Sequence, residues 1–217
     1  MRILFLAHRI PYPPNKGDKI RSFHEIKYLA ETHTVSLMCL ADEASDLRYE
    51  VDLKKYCEKV EVVLLKKPLV KLRSLASLAS GRPLSLSYFF SRALQRKIDQ
   101  ELIQGHYHVI LAFSSTMAQY VMSFKHIPKV MDFVDVDSEK WFQYARYSPF
   151  PLSTLYRSEG TRLRAYEQLI ARRFQHSIFV SNSEAQLFKS FLRSPGSISV
   201  IPNGVDYSYF RPTPKNS

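Results

Sequence analysis

The amino-acid sequence predicts an α/β fold, a doubly wound parallel sheet with helices on both faces. Three features carry that prediction. Short apolar runs bounded by turn residues recur along the chain, each reading as a strand buried on both sides. Between them lie stretches with apolar residues at helical spacing. The gaps between successive strands leave room for crossovers rather than hairpin turns.

Arg2–Ala7 is the first strand, followed by a Pro-rich loop, Ile10–Gly17, and by a helix over Asp18–Ala30 with Ile20, Phe23 and Ile26 on one face. Thr34–Leu40 is the second strand, Ser45–Lys59 a helix, and Val60–Leu65 the third strand. A helix over roughly Leu86–Ile103 carries Phe90, Leu94 and Ile98 four residues apart. Further strands follow at His108–Phe113, Lys129–Val134, Ser177–Ser181 and Ser197–Ile201. Leu152–Phe174 shows a long apolar stripe, and Ser183–Leu192 is a shorter helix with Ser183 as its expected N-cap.

The 217 residues, 45% of them hydrophobic and 13% aromatic, suffice for one well-filled core, placed at residues 1–201. Ile3–Ala7 is too short for a signal peptide, and no apolar run is long enough to cross a bilayer. Cys39 and Cys57 have no metal-ligand spacing and read as reduced thiols of a cytoplasmic protein. The net charge of +11 calls for an anionic partner: nucleic acid, membrane or phosphorylated small molecules. From Val62 to Ile98 there are eight basic residues and no acidic one, among them Lys66, Lys67, Lys71 and Arg73. That segment is also rich in Leu, Phe and Tyr, which suits ordinary sheet-covering helices with solvated basic faces and docking on an anionic membrane surface equally. Nucleic acid ranks last, because no nucleic-acid motif accompanies the charge.

In parallel sheets, ligands gather at the C-terminal ends of the strands. The first such loop, His8–Arg21, ends in Asn15-Lys16-Gly17-Asp18-Lys19-Ile20-Arg21. Gly17 admits close approach of a ligand, the helix start offers free N–H groups to a phosphate, and Lys16 and Arg21 add charge. The bland alternative is a stiff surface loop with solvated lysines. Neither a Gly-x-Gly-x-x-Gly fingerprint nor a Gly-Lys-Ser/Thr loop is present. The second loop, Asp132-Phe133-Val134-Asp135-Val136-Asp137-Ser138, sets three aspartates at a strand end. Asp132 faces away from Asp135 by alternation, and Asp137 or Ser138 is a plausible helix cap. Metal binding is not expected, since Asp-x-Asp alone is common and no histidine ligand lies nearby. Glu184 ends a further loop, Ser181–Glu184, where a helix cap explains Ser183. His106 and His108 read as turn residues, and Trp141, Phe142 and Tyr144 as core aromatics or the lining of an acceptor channel. Finally, Pro202-Asn203-Gly204 ends the last strand in a turn that calls for a positive φ at Gly204.

The run Pro202-Asn203-Gly204-Val205-Asp206, with Phe210-Arg211-Pro212 after it, resembles the hinge of the retaining glycosyltransferases of family 4. His8–Arg21 is similar to the first loop of the same family, closest to bacterial exopolysaccharide-associated sugar transferases, with one glycine where many members have two. The resemblance implies a Rossmann-like domain, one half of a GT-B architecture, with residues 202–217 starting the interdomain hinge and the second domain absent. It implicates Gly17, Lys16, Arg21, Asn203 and Gly204 near the donor phosphates or acceptor, with Asp132, Asp137 and Glu184 as possible acceptor-site residues. Family members often carry a sugar-contacting histidine at the fifth strand's end; here Asp135 falls beside that position and is the expected catalytic carboxylate. The implied reaction moves a sugar from a UDP- or GDP-type nucleotide-sugar to a lipid-linked or cell-surface saccharide, with no cofactor and no metal. The chain alone is expected to be inactive, and the enzyme to sit at the inner face of the membrane. The rival readings are a non-catalytic membrane- or protein-binding module and a complete small enzyme of another α/β class, such as a nucleotide-dependent epimerase.

Overall fold

A computed structural model of the chain describes residues 1–66, 77, 80–193 and 196–205. Its strands are β1 (Arg2–Ala7), β2 (Thr34–Ala41), β3 (Lys59–Leu64), β4 (Val109–Phe113), β5 (Lys129–Val134), β6 (His176–Phe179) and β7 (Ser197–Val200). They form one parallel sheet in the order β3-β2-β1-β4-β5-β6-β7. The helices are α1 (Gly17–Ala30), α2 (Glu50–Leu53), α3 (Leu84–Tyr88), α4 (Arg92–Gln104), α5 (Asp137–Tyr147), α6 (Leu152–Arg173) and α7 (Asn182–Ser190), with 3₁₀ turns at Ala44–Tyr49 and Ser115–Tyr120. The Rossmann-like, doubly wound expectation is met.

Strand alternation builds a core on each face. Leu4, Leu6, Met38, Leu40, Ile110 and Ala112 point to one side, under α4, α6 and α7. Phe5, Ala7, Leu37, Cys39 and Phe113 point to the other, under α1. Both cysteines are buried and free.

Two helix expectations need correction. Ser45–Lys59 is not one helix but a 3₁₀ turn and the single-turn α2, because Leu47 and Val51 of its apolar positions stay exposed and leave the helical stripe unburied. Leu86–Ile103 breaks at Phe89–Ser91, where Ser91 Oγ accepts from Leu94 N and caps a new helix. The basic segment is partly neutralised, since Lys97 pairs with Glu61 at 2.6 Å. Lys66 is exposed, whereas Lys67, Lys71 and Arg73 lie outside the described residues.

The order of strands reverses between β1 and β4, so the loops after these two diverge and leave a crevice at their C-terminal ends.

Candidate active-site cleft

That crevice is a cleft of about 420 Å³, walled by His8, Arg9, Gly17 and Arg21 from the first loop and α1, with Asn203 beside Arg21, and by Ser114, Asp135, Asp137 and Lys140 from the loops after β4 and β5. Two residues at the ends of its strands hold positive φ, Ser114 at 76° and Val134 at 67°. A β-branched residue in that region is strained, and such strain concentrates at functional sites. Asp135 N donates to Phe133 O at 2.8 Å, closing a tight turn about Val134 that carries Asp135 off the strand's alternation and onto the cleft wall. There Asp135 Oδ2 accepts from Lys140 Nζ at 2.9 Å. Lys140 also reaches Asp137 Oδ1 at 3.3 Å, and Asp137 Oδ2 accepts from Ser115 Oγ at 3.0 Å. Burial opposes the charge of Lys140, yet Asp137 and Asp135 outweigh it and hold the ammonium's pKa above its ordinary value.

The acidic loop is capped from other helices rather than by itself. Helix α5 starts at Asp137 with Val136 as its N-cap, and no side chain of the loop caps it. Glu184 Oε2 accepts from Val136 N at 2.7 Å, while Glu167 accepts from Ser138 N at 3.0 Å and Ser138 Oγ at 2.5 Å. These carboxylates fill the role that Asp137 or Ser138 was expected to play, and they suit the positive end of the helix. Similarly, Ser181 and not Ser183 caps α7, accepting from Glu184 N.

Burial pushes the Glu167 carboxyl up to about 8, against the two Ser138 bonds that favour its ionised form. The folded state thus holds this proton more tightly than the unfolded chain, where a glutamate titrates near ~4.3. Its contribution to stability is complete below about pH 4.3 and is lost as pH rises through the folded value. Glu167→Gln can accept from Ser138 N and donate to Ser138 Oγ, so it flattens this loss. Chemical denaturation at pH 5 and pH 8 checks this: the variant gains on the wild type at the higher pH, and parallel pH profiles would rule the assignment out.

On the opposite wall, Arg21 is nearly fully buried and ties three elements together. Its Nε donates to Asp132 Oδ2 at 2.8 Å, and Nη1 donates to Ile201 O at 2.9 Å and Asn203 Oδ1 at 3.0 Å. Its Nη2 has no partner among the described residues. Beside it Asp18 receives His8 Nε2 at 3.3 Å and Arg9 Nη1 at 3.0 Å, and Arg9 Nε donates to Asp42 at 2.6 Å. His8, then Arg9, hold the Asp18 carboxyl well below the usual carboxylate range against the opposing effect of burial.

The family model of Glycosyltransferase Family 4 matches residues 23–209, most of the sequence. The chain belongs to glycosyltransferase family 4. No curated protein matches it in sequence. Among solved structures, the family 4 chain is similar to sucrose-phosphate synthase from Thermosynechococcus elongatus at 13% identity and a TM-score of 0.52, covering 96% of this chain and 92% of that one. It also resembles the N-terminal domain of Candida albicans trehalose-6-phosphate phosphatase at 13% identity and a TM-score of 0.53, covering 96% and 49%. A third is UGT2 of Phytolacca americana complexed with UDP-2fluoro-glucose and pterostilbene, at 8% identity and a TM-score of 0.52, covering 93% and 54%. The chain therefore spans about half the length of two of these three structures. Identities this low speak for the fold.

Within the family 4 chain, the structure brings Gly17, Arg21, Asp135, Asp137 and Asn203 onto one cleft. Gly17 opens α1 and would meet nothing if it carried a Cβ, so space for a ligand exists there. Lys16 is exposed and off the cleft wall. Asp132 is 0% exposed, bound to Arg21 and Val134 N, and does not line the cleft. Glu184 is likewise spent on Val136 N. Gly204 is exposed with no positive φ, contrary to the turn expected. Trp141 and Phe142 are half-buried and Tyr144 is 57% exposed, so they form neither core nor cleft lining. Sequence reasoning missed the His8–Asp18–Arg9–Asp42 chain of charges, although His8 directly follows an apolar strand end, the position that could have flagged it.

Proposed function

We propose that this chain is the acceptor-side half of a retaining glycosyltransferase that moves a sugar from a UDP- or GDP-type nucleotide-sugar to a hydroxyl of a lipid-linked or cell-surface saccharide, as in bacterial exopolysaccharide synthesis. The observation that carries the reading is the cleft at the strand switch point, with a carboxylate on one wall and a buried arginine, held by the exiting chain, on the other. Asp135 receives the proton of the acceptor hydroxyl, and Lys140 orients it. Gly17, Arg21 and Asn203 face the donor phosphates, with Lys16 and Gly204 at the rim. Residues 202–217 lead into a second Rossmann-like domain that supplies most of the donor site. A neighbour of the same fold is complexed with UDP-2fluoro-glucose and a second compound, which supports a nucleotide-sugar as donor. Lys66 and the adjoining Lys67, Lys71 and Arg73 draw the enzyme to the anionic inner face of the membrane.

Calorimetry with UDP- and GDP-sugars tests the division of labour. The 217-residue chain binds them weakly, and the full-length protein binds one tightly. Micromolar affinity for the short chain would instead place the donor site within it.

A further inference from the structure

We propose that the hairpin joining α5 to α6 is a second docking surface, which binds the phosphate headgroups of an anionic bilayer. Residues 140–157 contain six aromatic and three basic residues and no acidic one. Tyr147 at 89% and Phe150 at 83% are the two most exposed large apolar side chains among the described residues, and Tyr144 and Leu152 flank them at 57% and 45%. Behind this tip, Trp141 packs on Tyr156 at 5.5 Å and on Tyr144 at 6.0 Å between ring centroids, giving the exposed rings a firm base. Aromatic side chains with an apolar body and a polar edge settle at the headgroup level of a bilayer.

The charge beside the tip selects the partner. Arg146, Arg157 and Arg164 surround a concavity of about 350 Å³ against the Phe142 ring. Glu139 answers Arg164 at 2.7 Å. Arg146 and Arg157 have no carboxylate partner among the described residues. Two unanswered guanidiniums in a concavity suit a phosphate, which each can grip with paired N–H groups. No helix among the described residues is long and apolar enough to cross a membrane, so the contact is one of surface docking. The cleft is not far from this tip. Helix α5 begins with Asp137 and Lys140 on the cleft wall and runs 11 residues, about 16 Å, to the hairpin. A docked tip therefore holds the cleft close to the headgroups, where the saccharide of a lipid-linked acceptor would emerge; this link to the cleft rests on the transferase reading, the docking surface itself does not.

Trp141 is the chain's single tryptophan and reports on the tip directly. The full chain is titrated with phosphatidylcholine vesicles, with and without phosphatidylglycerol, while Trp141 emission and its quenching by brominated acyl chains are followed. Expected are a blue shift and quenching with the anionic vesicles only, weakened by salt. Tyr147→Ser with Phe150→Ser, and separately Arg146→Ser with Arg157→Ser, weaken vesicle binding about tenfold or more, because each pair removes apolar burial or headgroup attraction. Lys66→Ser with Lys67→Ser leaves the Trp141 shift in place. Transfer to a soluble acceptor, measured on the full-length enzyme, stays unchanged in the hairpin variants, which separates this proposal from the transferase reading. An unshifted Trp141 with anionic vesicles, undiminished binding by both hairpin variants, or a response to inorganic phosphate that vesicles do not produce would each overturn it.

Discussion

Replacing Asp135 by Asn in the full-length enzyme is expected to lower kcat about 100-fold or more, with substrate binding little changed. Asn keeps the shape of the side chain and can still meet Lys140 through its carbonyl oxygen, but it cannot take up the acceptor's proton. The expected selectivity of the effect follows from the geometry. Asp135 stands at the end of a tight turn strained at Val134, on the cleft wall, 35% exposed and 2.9 Å from a lysine held in its charged form. Asp137 shares the same lysine but is also engaged by Ser115, and it opens a helix that Glu167 and Glu184 already cap. Asp137→Asn therefore changes kcat far less. Steady-state kinetics of both variants, alongside thermal unfolding to confirm folding, decide the matter. Equal rates for the Asp135 variant and the wild type would remove this carboxylate from the chemistry.

The largest expected loss of stability comes from Asp132→Ala, at about 3 kcal/mol, the low end for breaking a buried ion pair. Arg21 would be left without the 2.8 Å contact to its fully buried partner. Full loss is averted by Glu25, whose Oε1 lies 3.1 Å from Arg21 Nε. In the wild type, burial and then the charge of Asp132 push the Glu25 carboxyl well above the usual range, favouring its neutral form. Once Asp132 is gone, Glu25 ionises more readily and takes over part of the pairing. A double-mutant cycle exposes this substitution of roles. Asp132→Ala with Glu25→Gln should cost more than the sum of the two single changes, as residues sharing one partner couple strongly. Additive costs measured by denaturant unfolding would contradict it. The pair also links function to fold, since the same guanidinium holds Ile201 O and Asn203 at the rim of the cleft.

How much of this was legible in the sequence depended on range. Every predicted strand exists, with ends shifted by a residue or two, because the central ones are apolar runs buried on both faces and the edge strands β3 and β7 keep a β-branched alternation. Helix expectations failed where a helical stripe had nothing to pack against, as at Leu47 and Val51, both exposed. They also failed where a local cap divided one pattern, as at Ser91. Residue type at a strand end or helix start drew attention to Gly17, Arg21 and Asp135, and the hinge resemblance to Asn203; the structure sets all four on one cleft. The partners were not. Asp132 lies 111 residues from Arg21, and Glu167 lies 29 from Ser138, so nothing local in the sequence pairs them. Alternation set Asp132 apart from Asp135 in that loop, but not its burial in an ion pair, and Asp137 was read as a cap although it faces the cleft. The aromatic hairpin read as core because ring-rich sequences usually are; its exposure is set by the tertiary arrangement of α5 and α6.

The most direct test of the transferase reading is the stereochemistry of the product. The full-length enzyme is incubated with UDP- and GDP-sugars and a saccharide acceptor, and the new glycosidic bond is examined by proton NMR before any anomeric equilibration. One nucleotide-sugar is expected to support transfer, and the product to keep the donor's anomeric configuration. An inverted product, or no transfer from any nucleotide-sugar by a folded full-length enzyme, would contradict it.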